Sequence, residues 1–298
     1  MKSKDYKVGM LCAIFSAVTW GFLPIYWQAL RPIDSVVIIF YRIIFVAIVT
    51  FIASLKIYGM EEIKAPLRIK GNKLKFFFAG ILITVNWSIY IAAVNADFVI
   101  QTCIGYYIEP IIISVFGVVL YKEKLGKYKT IALALAGLGV FVMLAYYREI
   151  PLIALSLAIT FALYTALKKS YKLEAILSLL YETMFLVPVA VGMVLYYEIN
   201  GMGAFGVASN FQFFLLSLIG FCTAVPLILF TMGANRITMV NLWIIEYISP
   251  SITLLLGIFL FKEAFETVQF ISFVIIWIGL VFFTYGEFKD QKKERYNN

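Results

Sequence analysis

The chain has 298 residues, of which 63% are hydrophobic and only 14% are charged. Runs of about 20 apolar residues recur along it, long enough to cross a bilayer as helices, so the composition indicates an integral membrane protein instead of a soluble one. The net charge of +8 is mostly an orientation signal of membrane insertion, and we expect no nucleic-acid partner.

Taken in chain order, ten apolar segments are predicted to be membrane-spanning helices, with five in each half of the chain. They lie near residues 10–30, 35–55, 74–94, 99–121, 129–147, 150–170, 176–197, 211–231, 237–261 and 267–286. The predicted fold class is therefore an all-α polytopic membrane protein.

The two halves of the chain repeat each other. Residues 95–123 align with residues 235–263 without gaps. The alignment pairs Pro110 with Pro250, Gly117 with Gly257, and Lys122-Glu123 with Lys262-Glu263. Identities of these residue types are hard to attribute to apolar composition alone. We predict two five-helix units, residues 1–148 and residues 149–298, the second ending in a short basic cytoplasmic tail.

Five crossings per unit require the second unit to be inverted in the membrane, and the basic residues test this independently. With a cytoplasmic N-terminus, the 25 Lys and Arg residues lie on the inside except for Arg31, Arg148 and Lys262 outside and Arg42 within a span. The positive-inside rule then predicts that both termini are cytoplasmic. Lys122 and Lys262 are equivalent in the repeat, yet they are predicted on opposite sides.

Signals of catalysis and of bound cofactors are nearly absent. The chain has no histidine, which excludes Ser/His and Cys/His nucleophile systems and H-E-x-x-H zinc sites. No Walker A motif occurs, and the G-x-G-x-x-G match in GMGAFG follows a membrane helix instead of a strand. The three cysteines lie within predicted spans and lack metal-ligand spacing. We expect neither an enzyme nor a cofactor, metal or disulfide.

Charged residues within the predicted spans are the best functional candidates, because charge at the bilayer centre is costly and normally faces a cavity or a partner. They are Arg42, Glu109, Glu182 and Glu246. The two residues Glu109 and Glu246 occupy equivalent helix faces about one turn apart, so we expect them to line one central cavity from opposite sides. The alternative is that each satisfies backbone groups freed by the adjacent prolines.

Arg42 and Glu182 are also equivalent in the repeat, but they lie near opposite membrane faces. A direct pair between them is therefore not expected. Arg42 is expected to meet another carboxylate or a substrate anion, or else to be a structural ion-pair partner. Further polar and aromatic candidates for the cavity are Trp20, Asn86, Tyr90, Asn95, Tyr106, Tyr107, Asn241, Trp243 and Tyr247. Trp27 and Trp277 fit an interfacial aromatic belt.

The runs WGFLPIYW, NWSIYIAAVN, IGYYIEPIIISVFGVVLYKEKL and PLILFTMGANRITMVNLWIIEYISP resemble RarD-type proteins of the EamA branch of the drug/metabolite transporter superfamily. The resemblance covers nearly the whole chain. It implies ten helices in two inverted repeats around a central cavity, with the fifth and tenth helices peripheral. It also implies a permease, a class that includes proteins associated with chloramphenicol. Most physiological substrates of the class are unsettled.

The sequence departs from that family at two candidate residues. The family commonly has Asn before the first repeat proline and Gln before the second Tyr-Ile motif, where this chain has Glu109 and Glu246. Carboxylates favour a cationic or zwitterionic small organic solute, or proton coupling, and chloramphenicol is not to be assumed.

The expected function is a secondary transporter in a prokaryotic plasma membrane, working by alternating access. The alternatives are a channel-like facilitator and, less favoured, a membrane enzyme. The sequence leaves the solute, the direction of transport and the oligomeric state open.

Overall fold

The computed structural model describes residues 3–121, 126–147, 151–169, 171, 173–234, 236–237, 245 and 247–297, and within this part of the chain it is helical and has no strand. The first predicted unit contains α1 (Ser3–Ala29), α2 (Ser35–Ile57), α3 (Gly59–Arg68), α4 (Asn72–Asn95), α5 (Val99–Tyr121) and α6 (Lys127–Tyr147). The second contains α7 (Leu152–Lys169), α8 (Ala175–Met184), α9 (Val187–Ile199), α10 (Ala204–Val207), α11 (Asn210–Ala234), α12 (Ile248–Leu255) and α13 (Thr267–Asn297).

Several of these helices are long and apolar enough to cross a bilayer. Among the described residues five pass by length and hydropathy, and six pass if the bent pair α8 and α9 counts as one span. Shorter apolar helices lie within α6, α7 and the region Ile248–Leu260. The protein is thus an integral multi-pass membrane protein.

The predicted span 176–197 is not one straight helix. Helix α8 ends at Met184 and α9 begins at Val187, and the chain bends by 54° between them. Pro188 explains the break, because proline has no N–H to donate to the carbonyl of Met184 and its ring clashes with the preceding turn. Of the predicted span 237–261, the structure describes α12 followed by a single π-helical turn, Leu256–Leu260.

The helices of the two halves pack against each other throughout. The most extensive contacts join α6 with α13, α5 with α7, and α1 with α11. Further pairs are α2 with α11, α4 with α8, α4 with α7, α1 with α12, α5 with α12, and α2 with α8 and α9.

Small residues allow some of these helices to approach closely, as is common where helices associate in membranes. A Cβ atom added to Gly80 in α4 would lie 2.1 Å from the carbonyl oxygen of Glu182 in α8. A Cβ atom on Gly220 in α11 would lie 2.6 Å from the carbonyl oxygen of Phe45 in α2. Backbones therefore touch at both helix pairs, and larger residues would push the helices apart.

Candidate functional site

Arg42 of α2 lies inside the helix bundle, surrounded by aromatic rings. It is only 5% exposed. Its Cζ lies over the ring of Trp87 in α4, 3.9 Å from the ring centroid, and over the ring of Trp27 in α1, 4.9 Å from that centroid. Indole rings attract a guanidinium through their negative π faces. The Nε of Arg42, however, is buried without a hydrogen-bond partner in the part of the chain that the structure describes.

Tyrosines complete the surroundings of Arg42. The hydroxyls of Tyr26, Tyr90 and Tyr106 lie within electrostatic reach of its guanidinium. The rings of Tyr90 and Tyr106 meet edge to face, with centroids 5.7 Å apart, and the Tyr26 hydroxyl donates to the carbonyl of Leu215 at 2.6 Å. The cage of Arg42 is therefore built from α1, α4 and α5 of the first half and is tied to α11 of the second.

Glu109 is placed close to this cage. It lies on α5 and is 6% exposed. Its carboxylate acts electrostatically on Tyr106, which also interacts with Arg42, and on Tyr247 of the second half. Tyr106 thus connects the two buried charges, and Glu109 connects the cage to the region where the halves meet.

Tyr107 and Tyr247, which are equivalent in the repeat, stack on each other. Their ring centroids are 5.9 Å apart, with planes inclined by 18°. The Tyr107 hydroxyl pairs with the Ser251 hydroxyl at 2.8 Å and accepts a hydrogen bond from the Trp277 indole at 3.0 Å. The sequence assigned Trp277 to an interfacial belt, but its indole N–H is directed at a buried tyrosine.

The structure places other predicted site residues in contacts between helices. The Asn86 amide donates to the carbonyl of Leu157 at 2.9 Å and to the hydroxyl of Thr160 at 3.0 Å, which joins α4 to α7. The Asn95 amide donates to the Ser35 hydroxyl at 3.1 Å near the ends of α4 and α2. The ring of Trp20 lies beside Phe230, at a centroid distance of 5.5 Å.

Glu182 is fully buried and lies in a cluster of its own, apart from Arg42. Its carboxylate accepts hydrogen bonds from the hydroxyls of Tyr164 and Tyr171, each at 2.9 Å, and of Ser178 at 2.5 Å. The ammonium of Lys168 lies 3.3 Å away. These donors come from α7, α8 and the connection between them, so the carboxylate holds this corner of the second half together.

A further link between the halves lies at the beginning of α5. The Glu263 carboxylate accepts hydrogen bonds from the backbone N–H groups of Val99 at 2.6 Å and Ile100 at 2.8 Å. The free N–H groups of a helix's first turn favour a negative charge there. Burial nevertheless raises the pKa of Glu263, the two backbone hydrogen bonds oppose this, and the nearby Asp97 adds to the rise.

Three predicted site residues, Asn241, Trp243 and Glu246, lie outside the described residues, as does Lys122. The sequence also overlooked two residues of the cage. Trp87 was not selected, although it lies three positions before Tyr90 and thus shares its helix face. Trp27 was interpreted as an interfacial residue, but it is 0% exposed and contacts Arg42.

Comparisons with known proteins identify the family of the chain. The EamA-like transporter family model matches residues 7–145. An uncharacterised transporter of Bacillus subtilis, YojE, is 36% identical over 97% of this chain and 97% of its own length. The protein RarD of Streptomyces exfoliatus is 30% identical over 98% of this chain and 92% of its own. The chain belongs to the EamA-like transporter family.

The EamA family match and the RarD relatives confirm the resemblance to RarD-type proteins of the EamA branch. The RarD protein of Escherichia coli K12 is 29% identical over 98% of this chain. One solved crystal structure matches with a TM-score of 0.63 at 14% identity, covering 93% of this chain and 97% of that one. At this identity the match concerns the fold alone, and it shows that the helices of this EamA protein are arranged as in an experimentally determined structure.

Proposed function

We propose that this protein is a secondary transporter that moves a small organic solute by alternating access between two inverted five-helix halves, residues 1–148 and residues 149–298. Ten helices cross the membrane in this proposal, and both termini lie in the cytoplasm of a prokaryotic cell. The match to the EamA-like transporter family and the description of the relative YojE as a transporter support this function.

The observation that carries the proposal is that contacts between helices come in equivalent pairs. Under the repeat, α1, α4, α5 and α6 correspond to α7, α11, α12 and α13, and α2 corresponds to α8 with α9. The contact of α5 with α7 is thus equivalent to that of α12 with α1, and the contact of α4 with α7 to that of α11 with α1. A pseudo-twofold axis between the halves would produce this pairing.

Contacts of individual residues also come in equivalent pairs. A Cβ atom on Gly139 of α6 would lie 2.8 Å from the carbonyl oxygen of Ser272, and a Cβ atom on Gly279 of α13 would lie 3.1 Å from that of Ala132. Gly279 is the repeat equivalent of Gly139, and Ser272 that of Ala132. Tyr107 and Tyr247, which are equivalent in the repeat, stack on each other. A pseudo-twofold axis that passes between the halves at this point would bring two equivalent residues together in this way. These reciprocal contacts support inverted units instead of a mere duplication of composition.

The solute is proposed to bind where the halves meet, beside Arg42, Tyr106 and Glu109. Binding sites of transporters with inverted repeats commonly lie near the bilayer midplane, at the interface of the repeats. Glu109, with Glu246 proposed on the opposite side, favours a cationic or zwitterionic solute, and either carboxylate offers a route to proton coupling.

Two measurements test this function. In oriented vesicles, an impermeant maleimide should label Lys122→Cys from the cytoplasmic face and Lys262→Cys from the outer face. Labelling of both from one face would contradict inversion. When metabolites from a panel are added outside proteoliposomes, the rate of uptake of the transported one should saturate with its concentration and respond to an imposed proton gradient. Uptake that rises linearly with concentration would instead indicate a channel.

A further inference from the structure

Arg42 carries a buried charge that the described residues leave incompletely satisfied. Arg31, Arg68 and Arg236 each donate a hydrogen bond to an oxygen acceptor. For Arg42 the structure records cation–π contacts and no such acceptor among the described residues. A buried charge without a partner costs several kcal/mol. A protein that retains one is expected to supply the partner in another way.

Glu182, the repeat equivalent of Arg42, is a buried charge whose partners the structure shows. The carboxylate of Glu182 receives three hydroxyl hydrogen bonds and faces the ammonium of Lys168. The groups that act electrostatically on Arg42 are instead tyrosines and Cys222. Glu109 acts on the neighbouring Tyr106. Among the described residues, one of the two equivalent charges thus has hydrogen-bond partners and the other has only aromatic ones.

The contacts of Arg42 also define what its partner must be. Indole rings bind a guanidinium through its π system and its charge, but they accept no strong hydrogen bond from its N–H groups. Those donors lie in the guanidinium plane in a fork that matches the two oxygens of a carboxylate. The surrounding rings of Trp27, Trp87 and Tyr106 would exclude water from such a pair and contact the apolar part of a ligand.

We propose that Arg42 binds a carboxylate group of the transported solute. The proposal rests on the transport function inferred above and specifies the chemical class of its substrate. The solute is then a small organic carboxylate, and its carboxylate lies against Arg42. Together with the preference of Glu109 for a positive group, this selects the zwitterionic class over the purely cationic one, with the amino group of the solute lying toward Glu109.

The proposal is tested by binding of a matched set of probes to the full-length protein in detergent. Phenylpropionate, phenylpropionamide and phenylpropylamine share one aromatic body and differ in being anionic, neutral and cationic. Tryptophan fluorescence reports on binding, because Trp27 and Trp87 contact Arg42. The anion should bind at least about tenfold more tightly than the amide, the size expected for a charge-assisted hydrogen bond.

Variants assign that preference to Arg42. Arg42→Gln should abolish the preference for the anion, and Arg42→Lys should retain part of it, since lysine keeps the charge but lacks the planar fork. Arg68→Gln is the matched control. The Arg68 side chain is 67% exposed, so this substitution removes the same charge from the surface. If Arg42→Gln does not fold, the wild-type preference and Arg42→Lys still decide the question.

The proposal is wrong if the amide or the amine binds as tightly as the anion, if none of the probes binds, or if Arg42→Gln keeps the preference. Measuring uptake of the same probes into proteoliposomes distinguishes a failure of the carboxylate site from a failure of the proposed transport function. Arg42-dependent binding without uptake would support the carboxylate site and contradict transport. Saturable uptake of the amine alone would support transport and contradict the carboxylate site.

Discussion

Replacing Glu182 separates a structural role of this buried carboxylate from a role in transport. The sequence grouped Glu182 with the cavity residues, whereas the structure surrounds it with Tyr164, Tyr171, Ser178 and Lys168. We therefore predict that Glu182→Gln and Glu182→Ala lower the stability of the protein, with transport affected only through the loss of folded protein.

The size of the effect follows from the donors left without an acceptor. In Glu182→Gln one carboxylate oxygen becomes an NH₂ group. This group is a donor and cannot accept the hydrogen bonds that the surrounding hydroxyls donate to the carboxylate. Each buried donor left unsatisfied costs about 1–3 kcal/mol. Glu182→Ala removes every acceptor and leaves the Lys168 ammonium without its carboxylate. For that change we expect a loss of about 3–5 kcal/mol, typical of breaking a buried ion pair by removing one partner.

The assay is chemical unfolding of the purified protein in detergent, followed by the loss of a monodisperse elution peak. Glu174→Gln is the matched control, since Glu174 is exposed immediately before α8 and makes no side-chain cap hydrogen bond. A surface change of this kind should alter stability by less than about 0.5 kcal/mol. Tyr171→Phe, which removes one donor and leaves the carboxylate in place, should lie between the control and Glu182→Gln.

Wild-type stability in both Glu182 variants, combined with loss of solute transport, would refute this reasoning. Glu182 would then belong to the transport pathway, as the sequence suggested. Loss of transport in proportion to the amount of folded protein would instead agree with the structural role.

Three further changes test other parts of the structure. Gly139→Val should destabilise the α6–α13 contact by about 1–3 kcal/mol through overpacking, while Gly137→Val, where an added Cβ meets nothing within 4 Å, should be tolerated in the same unfolding assay. Burial raises the pKa of Glu263 from 4.5, so the folded protein holds this proton more tightly than the unfolded chain. Stability should therefore fall as pH rises from 4.5 through the raised value, and Glu263→Gln should remove that fall in thermal unfolding measured across the mildly acidic range; an unchanged pH profile would contradict the assignment. Glu109→Gln and Glu246→Gln should change the pH dependence of solute uptake more than the yield of folded protein, and identical uptake profiles would indicate structural roles.

The sequence by itself determined the class of protein and the positions of most helices. Apolar segment length is a local property, so the predicted spans 35–55, 74–94 and 99–121 correspond closely to α2, α4 and α5. Family membership followed from motifs that lie in contiguous runs, and the comparisons confirm it. The unusual cost of charge in a membrane was sufficient to single out Arg42 and Glu109 before any contact was known.

Only the tertiary structure decided which of these residues meet. Arg42 and Glu182 are equivalent in sequence, yet one lies against Trp27 and Trp87 and the other is enclosed by hydroxyl donors. The spacing within a helix fixes which residues share a face, but it does not specify which helix packs against that face. That choice depends on close approaches such as Gly80 against α8, which arise only when all the helices are assembled. The partner of a buried charge is therefore a property of the bundle, and the separation of the Arg42 cage from the Glu182 cluster became visible only there.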